Sequence, residues 1–364
     1  MGYVAVKGGT EAIEASIQLL HERRVASALV ADIQVIKASM RQMINQIMSE
    51  ASLYDRDLAA LAIKQSEGNM EEAVFLLRAH RSTLPRLYYS NTVDTRTMFV
   101  ERRVSASFKD IPGGQILGAS PDFTHRLLDF SLVDEKVNPI ARENKLMNED
   151  TPADLSQLPK VIDYLASVGL YDALPINNTQ PDDITKKAIT FPATRSQILQ
   201  SLTRGQTGAV TALGYAEIRG YGFSTHPNIG ELRVGEQPVY VLNEENPDDS
   251  YFIGDIELTE VESFYSSHKP SQQKEQHDEM TIELGYGITF GQNETKTIAM
   301  SILDHSLNQP DFDVPTSDDE FVLLHIDSVE STGFISHLKL PHYVTFQSML
   351  DRIRQTMKEN NDAL

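Results

Sequence analysis

Apolar positions recur every three or four residues through the first part of the chain, and this spacing predicts helices. Thr10 is placed to cap a helix over Glu11 to Arg24. Between residues 30 and 50 the stripe is Ile33, Ile36, Met40, Ile44, Ile47 and Met48. Arg56 to Gln65 continues it with Leu58, Leu61 and Ala62, and Gly68-Asn69 ends it. Glu71 to Leu84 turns Ala73, Val74, Leu76 and Leu77 inward and stops at Pro85. The period then changes to two. Met98, Val100, Arg102, Val104, Ala106 and Phe108 alternate within Thr97 to Lys109 and predict a strand. Residues 134 to 190 hold five prolines and little periodicity, which predicts a mobile or inserted region with one short helix near Lys160 to Val168. Further on, Val210 to Arg219, Val239 to Leu242, Tyr251 to Glu257 and Phe321 to Ile326 read as strands. Asn293 to Leu307 reads as a helix, and Val344 to Lys358 as a final amphipathic helix carrying Phe346, Met349, Leu350, Ile353 and Met357. The expected class is α+β: a helical N-terminal subdomain over 1–92, then a larger mixed α/β domain with a sheet over 93–364. The order of strands stays open.

Composition narrows the function. The 364 residues are 40% hydrophobic and 7% aromatic, enough for a sizeable core in a soluble globular chain. No run of 18 apolar residues occurs and the N-terminus has no export pattern, so no membrane span is expected and the cytoplasm is the expected compartment. There is no cysteine, hence no disulfide and no thiolate ligand of the chain's own. A net charge of −20 argues against a nucleic-acid polymer as partner. It leaves room for a small anion in a local basic pocket. Residues 96 to 126 are such a place: Arg96, Arg102, Arg103, Lys109 and Arg126 make five bases against Glu101, Asp110 and Asp122. Residues 244–249 and 311–320 are acidic, proline-containing stretches and read as solvated loops.

His337 and His342 are the most telling pair. On a helix an i, i+5 pair would point about 140° apart, and Pro341 disfavours a helix there. A turn lets both imidazoles converge on a metal, which needs further ligands from elsewhere in the fold or from another protein. Two unrelated histidines are the plainer reading. Lys7-Gly8-Gly9 precedes a helix and suits an oligophosphate, or is a simple turn. Lys109 to Gln115, with Gly113-Gly114, lies near His125-Arg126 and Asp129. If helical, His125 and Asp129 are i, i+4 and can pair. Arg219-Gly-Tyr-Gly222 and Gly285-Tyr-Gly-Ile-Thr-Phe-Gly291 are two more glycine segments, read as a turn and as strand bulges in their plainer forms.

In sequence these segments resemble the PhnI family, a subunit of the bacterial carbon–phosphorus lyase core complex. The resemblance runs through Val4 to Gly9, Glu72 to Arg81, Glu101 to Ala106, Lys109 to Gln115, Thr124 to Phe130, Gln180 to Thr185, Arg219 to Gly222 and Gly333 to Tyr343. It implies a nucleosidase-type activity. The purine of ATP or GTP is displaced at ribose C1′ by a phosphonate oxygen, giving alpha-D-ribose 1-methylphosphonate 5-triphosphate. Without sister subunits, water attacks instead. It also implies that His337 and His342 bind Zn2+ shared with the radical-SAM subunit PhnJ. The other implied partners are PhnG, PhnH and the ATP-binding subunit PhnL. Iron–sulfur chemistry belongs to the partner, since this chain has no cysteine.

Base displacement needs a carboxylate beside an oxocarbenium-like centre, a proton donor for the purine, and cations with backbone amides for the triphosphate. By residue chemistry, Asp110, His125 and Glu231 are the catalytic candidates. Lys7, Gly8, Gly9, Gly113, Gly114, Arg126 and Arg219 are the nucleotide-binding candidates, with Mg2+ accompanying the nucleotide. The competing readings are a catalytically silent scaffold of the same complex, and a lone zinc hydrolase drawing on His325 and Asp327.

Overall fold

The computed structural model describes residues 9–26, 29–107, 109–118, 120, 126–135, 158–172, 177, 179–220, 226–243, 246, 249–269, 279–309, 314–339 and 342–362. They form two compact units, Met1–Thr83 with Leu323–Leu364, and Leu84–Val322.

The first unit is helical. It starts with α1 (Gly9–Val25), α2 (Ile33–Ser39), α3 (Arg41–Ala51), α4 (Arg56–Gln65) and α5 (Met70–Thr83). The apolar stripe over 30–50 is split into two helices at Met40, whose φ of −110° and ψ of 41° end α2 and begin α3. Asp32 and Asp55 cap α2 and α4 by accepting backbone N–H bonds. The core is small and aliphatic: Ile36, Ile44, Ile47, Met48, Ala51, Ala59, Ala60, Ala62, Ile63, Ala73, Val74 and Leu77.

The second unit is built on β1 (Phe99–Ser105). After it come α6 (Val161–Ser167), α7 (Arg195–Arg204), α8 (Thr207–Arg219), β2 (Asn228–Val241), β3 (Tyr251–Lys269), β4 (Glu279–Phe290) and α9 (Glu294–Leu307). The four strands make one antiparallel sheet in the order β1-β2-β3-β4. α9 covers one face of it. There Gly285 and Gly287 let the helix backbone approach closely, since a Cβ at Gly287 would stand 2.3 Å from the Thr297 carbonyl oxygen. Neither glycine marks a bulge, because β3 and β4 pair without a register shift. On the opposite face, apolar groups gather at two ends: Met98, Val100, Leu158 and Leu258 at one, and Ile111, Val161, Leu165 and Phe264 at the other.

After the sheet unit, α10 (Asp319–His325) leads to α11 (Ser328–Ser336) and α12 (Tyr343–Asp362). Val329 of α11 packs on the first unit's core, and Arg78 of α5 donates to both oxygens of Asp327 at 2.8 Å.

The α+β class holds. Two of the expected strands are helices. Thr207–Arg219 is α8, where Gln206 caps the N-terminus and Val210 and Gly214 are buried four apart against α9. Alanines at 209, 212 and 216 favour that helix over a strand. Phe321–Ile326 falls in and just after α10, whose Phe321 amide donates to the Asp318 carboxylate at 3.0 Å. A short apolar run does not separate strand from helix, and here the acidic cap settles it.

Candidate functional sites: a histidine pair and a charged sheet face

Of the residues singled out from the sequence, Lys7, Gly8 and His125 lie outside the described residues. Gly9 opens α1. Arg219 ends α8 and is exposed. Arg126 is exposed, with a left-handed φ of 56°. The described segment from Arg126 to Asp129 is not helical. Asp129 instead caps the short turn Phe130–Asp134, accepting from the Ser131 amide at 3.0 Å and hydroxyl at 2.6 Å. Those two bonds hold the Asp129 carboxyl below its ordinary range.

The structure does bring together Glu231 and the Gly113-Gly114 turn, through Arg103. Strand register explains how. Arg103 of β1 lies opposite Arg233 of β2, which lies opposite Glu260 of β3; one step along, Glu231 lies opposite Glu262 of β3, and Glu262 opposite Tyr286 of β4. Residues opposite one another share a face, so these side chains crowd the middle of the face bearing Leu158 and Val161. Arg103 Nε donates to Glu231 at 2.7 Å, and its other nitrogens donate to the Pro112 and Pro159 carbonyls at 3.0 and 2.7 Å. Glu231 also accepts the Val161 amide at 3.0 Å, which anchors the start of α6. Glu260 accepts from Arg233, from Lys160 at 3.0 Å, from Thr95 at 2.7 Å and from Tyr286 at 2.9 Å. Lys160 also pairs with Glu262.

The electrostatics follow from burial and charge. Burial pushes Glu260 upward, but the Arg233 and Lys160 charges overcome it and hold the carboxyl well below the ordinary range. Glu262 goes the other way. Burial, with Glu260 and Glu231 nearby, outweighs Lys160 and raises its pKa to about 7. One of its oxygens, Oε2, makes no hydrogen bond. The Tyr286 phenol is raised by burial beside Glu260.

The basic stretch over 96–126 is therefore largely self-neutralised. Successive residues of a strand point to opposite faces, so Arg102 and Arg103 face opposite ways. Arg103 meets Glu231, and Arg102 Nε meets Glu294 at 2.8 Å, at the start of α9. Arg96 pairs with Asp163 of α6 at 2.7 Å. Sequence reading singled out Glu231 but passed over Lys160, Arg233, Glu260 and Glu262. The signal was present: charges two residues apart around a single apolar residue, Glu231 and Arg233 about Leu232 in β2, and Glu260 and Glu262 about Val261 in β3. Asp110 and Gly113 are exposed on the loop after β1. Gly113 has a φ of +83°, and a Cβ there would meet Leu158 at 2.4 Å.

His337 and His342 lie in the turn joining α11 to α12. His337 closes α11 and opens the single 3-10 turn His337–Lys339. His342 precedes α12, and its carbonyl accepts the Phe346 amide at 3.0 Å, the first bond of that helix. The ring centroids are 5.4 Å apart at 77°. His337 Nδ1 donates to the Phe334 carbonyl. That bond fixes the tautomer and leaves the Nε2 lone pair for a ligand. His342 Nε2 stands 3.4 Å from the His337 carbonyl. At that spacing the two rings are the residues of this turn that could hold one metal ion. Among the described residues no group of three His, Asp or Glu stands ready to hold a metal. Asp327 caps α11 and is bonded through both oxygens to Arg78, so it is not a third ligand.

Comparison with known proteins accounts for the whole length. The PhnI subunit of alpha-D-ribose 1-methylphosphonate 5-triphosphate synthase of Escherichia coli (strain K12) is 41% identical, covering 99% of each chain. Its counterpart of the same name in Rhizobium meliloti (strain 1021) is 42% identical over 99% of this chain and 96% of its own. Residues 2–360 match the family described as bacterial phosphonate metabolism protein (PhnI). Gly333 to Tyr343, with its two imidazoles, lies inside that span, and the chain belongs to the PhnI family.

Proposed function

We propose that this chain is the PhnI subunit of a carbon–phosphorus lyase complex and displaces the purine base of ATP or GTP at ribose C1′. A phosphonate oxygen is the nucleophile, and the product is alpha-D-ribose 1-methylphosphonate 5-triphosphate. With water in its place the chain acts as a nucleosidase. The observation that carries this reading is the end-to-end likeness, at 41% and 42% identity, to subunits of the synthase that bears the product's name. The histidine turn supports it, because it offers two metal ligands and among the described residues no third. Zinc held there would clasp this chain to the subunit that supplies the remaining ligands, PhnJ in this reading. PhnG, PhnH and PhnL are the further partners, and Mg2+ arrives with the triphosphate.

The candidate residues divide by exposure. Asp110 stands on an exposed loop beside the Gly113-Gly114 turn, where its carboxylate can meet a soluble nucleotide. His125 is the proton donor of this reading; Lys7, Gly8, Gly9, Arg126 and Arg219 are its triphosphate contacts. Glu231 is buried with both oxygens bonded, so its part is to hold α6 and Arg103 in place. The test is purine release from ATP and GTP by the purified chain, alone and with the sister subunits and a phosphonate. Free purine from the chain alone, and ribose 1-phosphonate 5-triphosphate from the assembly, are expected. No purine under either condition would make the chain a scaffold.

A further inference from the structure

The helix α6 is seven residues long, about two turns, and too short to hold together alone. Its N-terminal end is fastened to three strands by the charged array. Arg103 of β1 donates to the Pro159 carbonyl at 2.7 Å, and Glu231 of β2 accepts the Val161 amide at 3.0 Å. Lys160 reaches Glu260 of β3 at 3.0 Å and Glu262 beside it. Outside the array, Asp163 pairs with Arg96 at 2.7 Å. Val161 and Leu165 complete the contact by packing with Ile111 and Phe264.

The three carboxyls of this fastening are held unequally. Glu260 accepts from Arg233, Lys160, Thr95 and Tyr286. Glu231 has a donor on each oxygen. Glu262 is 3% exposed, is paired with Lys160, and has a second oxygen with no hydrogen bond. A buried carboxylate is costly unless its oxygens are bonded, so of the three Glu262 is the one that takes a proton. The groups facing it are Glu260 on its own strand, Glu231 and Arg233 on β2, Arg103 on β1 and Tyr286 on β4. Lys160 faces it from the start of α6, and Tyr171, with the exposed Asp172, from just after that helix. Glu260 is held well below the ordinary range. Burial raises both phenols. Burial lowers Lys160, but Glu260 and Glu262 outweigh it and raise it. Each of these shifts moves its group away from neutral pH. Lys160 and Tyr171 flank α6, so lifting that helix takes away both the cation and the cover of Glu262. With α6 seated, burial holds the proton on Glu262 up to about pH 7. With α6 lifted, water reaches the carboxyl and its hold on the proton falls toward the ordinary value. Seating binds a proton that lifting releases, so a rise in pH through 7 favours lifting.

We infer that α6 is a proton-linked latch: it seats on the sheet with Glu262 neutral and loosens when Glu262 gives up its proton. The test is amide hydrogen exchange on the full chain between about pH 6 and pH 9, corrected for intrinsic exchange and kept where closing outruns exchange. The amides of Leu165 and Val168 report α6, and those of Met300 and Leu303 in α9 report the sheet unit as a whole. The α6 opening constant should be flat below about pH 6 and rise about tenfold for each pH unit above about 7, without α9 following. Glu262→Gln keeps the shape of the side chain and removes the titration, so its α6 opening should not vary with pH. Lys160→Met removes the cation and leaves the proton on Glu262 to higher pH, so the rise should begin about one unit later or more. An opening constant that does not change with pH overturns the proposal, as does a rise that Glu262→Gln retains. Opening of α9 in step with α6 overturns it too, because the whole unit then releases the proton. If Glu262→Gln does not fold, Lys160→Met decides: a rise at the same pH as in the unsubstituted chain overturns the latch.

Discussion

The charged face of the sheet and the histidine turn contain similar chemistry in opposite settings. On the sheet, three cations (Arg103, Arg233, Lys160) and three carboxyls (Glu231, Glu260, Glu262) are buried together and bond mainly to one another. In the turn, two imidazoles are partly open and flanked by exposed apolar side chains. Buried charges survive only when paired, so an array that is almost complete has little left to offer a ligand. An incomplete pair near the surface costs the free chain little and can still bind. Crowded titratable groups therefore point to architecture here, and the sparse pair points outward.

Breaking the array should have the largest effect. Glu231→Ala leaves Arg103 buried without its carboxylate and frees the Val161 amide. The expected destabilisation is about 3–5 kcal/mol in urea unfolding. An Arg103→Met, Glu231→Leu double variant should regain part of it, because it removes the unpaired charge but leaves the Val161 amide and the Pro112 and Pro159 carbonyls without their partners. A loss below about 1 kcal/mol for Glu231→Ala would show the array to be wetter than its burial implies.

The array's single raised carboxyl gives a smaller, pH-dependent effect. Glu262 is shifted from its ordinary value of 4.5 to about 7 in the fold. A raised folded pKa means that the folded chain binds this proton more tightly than the unfolded chain. Its contribution is complete below about pH 4.5 and is lost as pH rises through about 7. Between pH 5 and 8 the protein should therefore lose stability relative to Glu262→Gln, on the order of 1–3 kcal/mol. Thermal unfolding of both across that range measures it. Parallel curves would mean that Lys160 keeps Glu262 ionised throughout.

Much of the fold is legible because local pattern suffices for it. α4 and α5 follow from apolar spacing with Gly68-Asn69 and Pro85 as stops, and α12 from its stripe. The expected strands at 210–219 and 321–326 are short apolar runs that helix caps, Gln206 and Asp318, turn into helices. The charged face was legible only in part, because it depends on register across four strands, which a single strand's alternation does not reveal. The contact between Arg78 and Asp327 spans 249 residues and has no local trace at all. The histidine turn was legible for the opposite reason: it is local, lying between α11 and α12 with its two histidines five residues apart in sequence.

The turn should show the smallest effect on stability and the sharpest on composition. Neither imidazole belongs to an apolar core, and the Nδ1 bond of His337 only trims the end of α11. His337→Ala and His342→Ala should each change the unfolding free energy of the isolated chain by less than about 0.5 kcal/mol. If the proposed zinc site is right, the same substitutions should lower zinc affinity of the assembled complex at least about a hundredfold, since each removes one of its two proposed ligands. The contrast with Glu231→Ala is the point of the pair of measurements. A residue that matters to the fold and a residue that matters to the assembly separate cleanly when stability and zinc content are read on the same variants. If His337→Ala destabilised the isolated chain as strongly as Glu231→Ala, the turn would be part of the architecture and its openness would have no bearing on a partner.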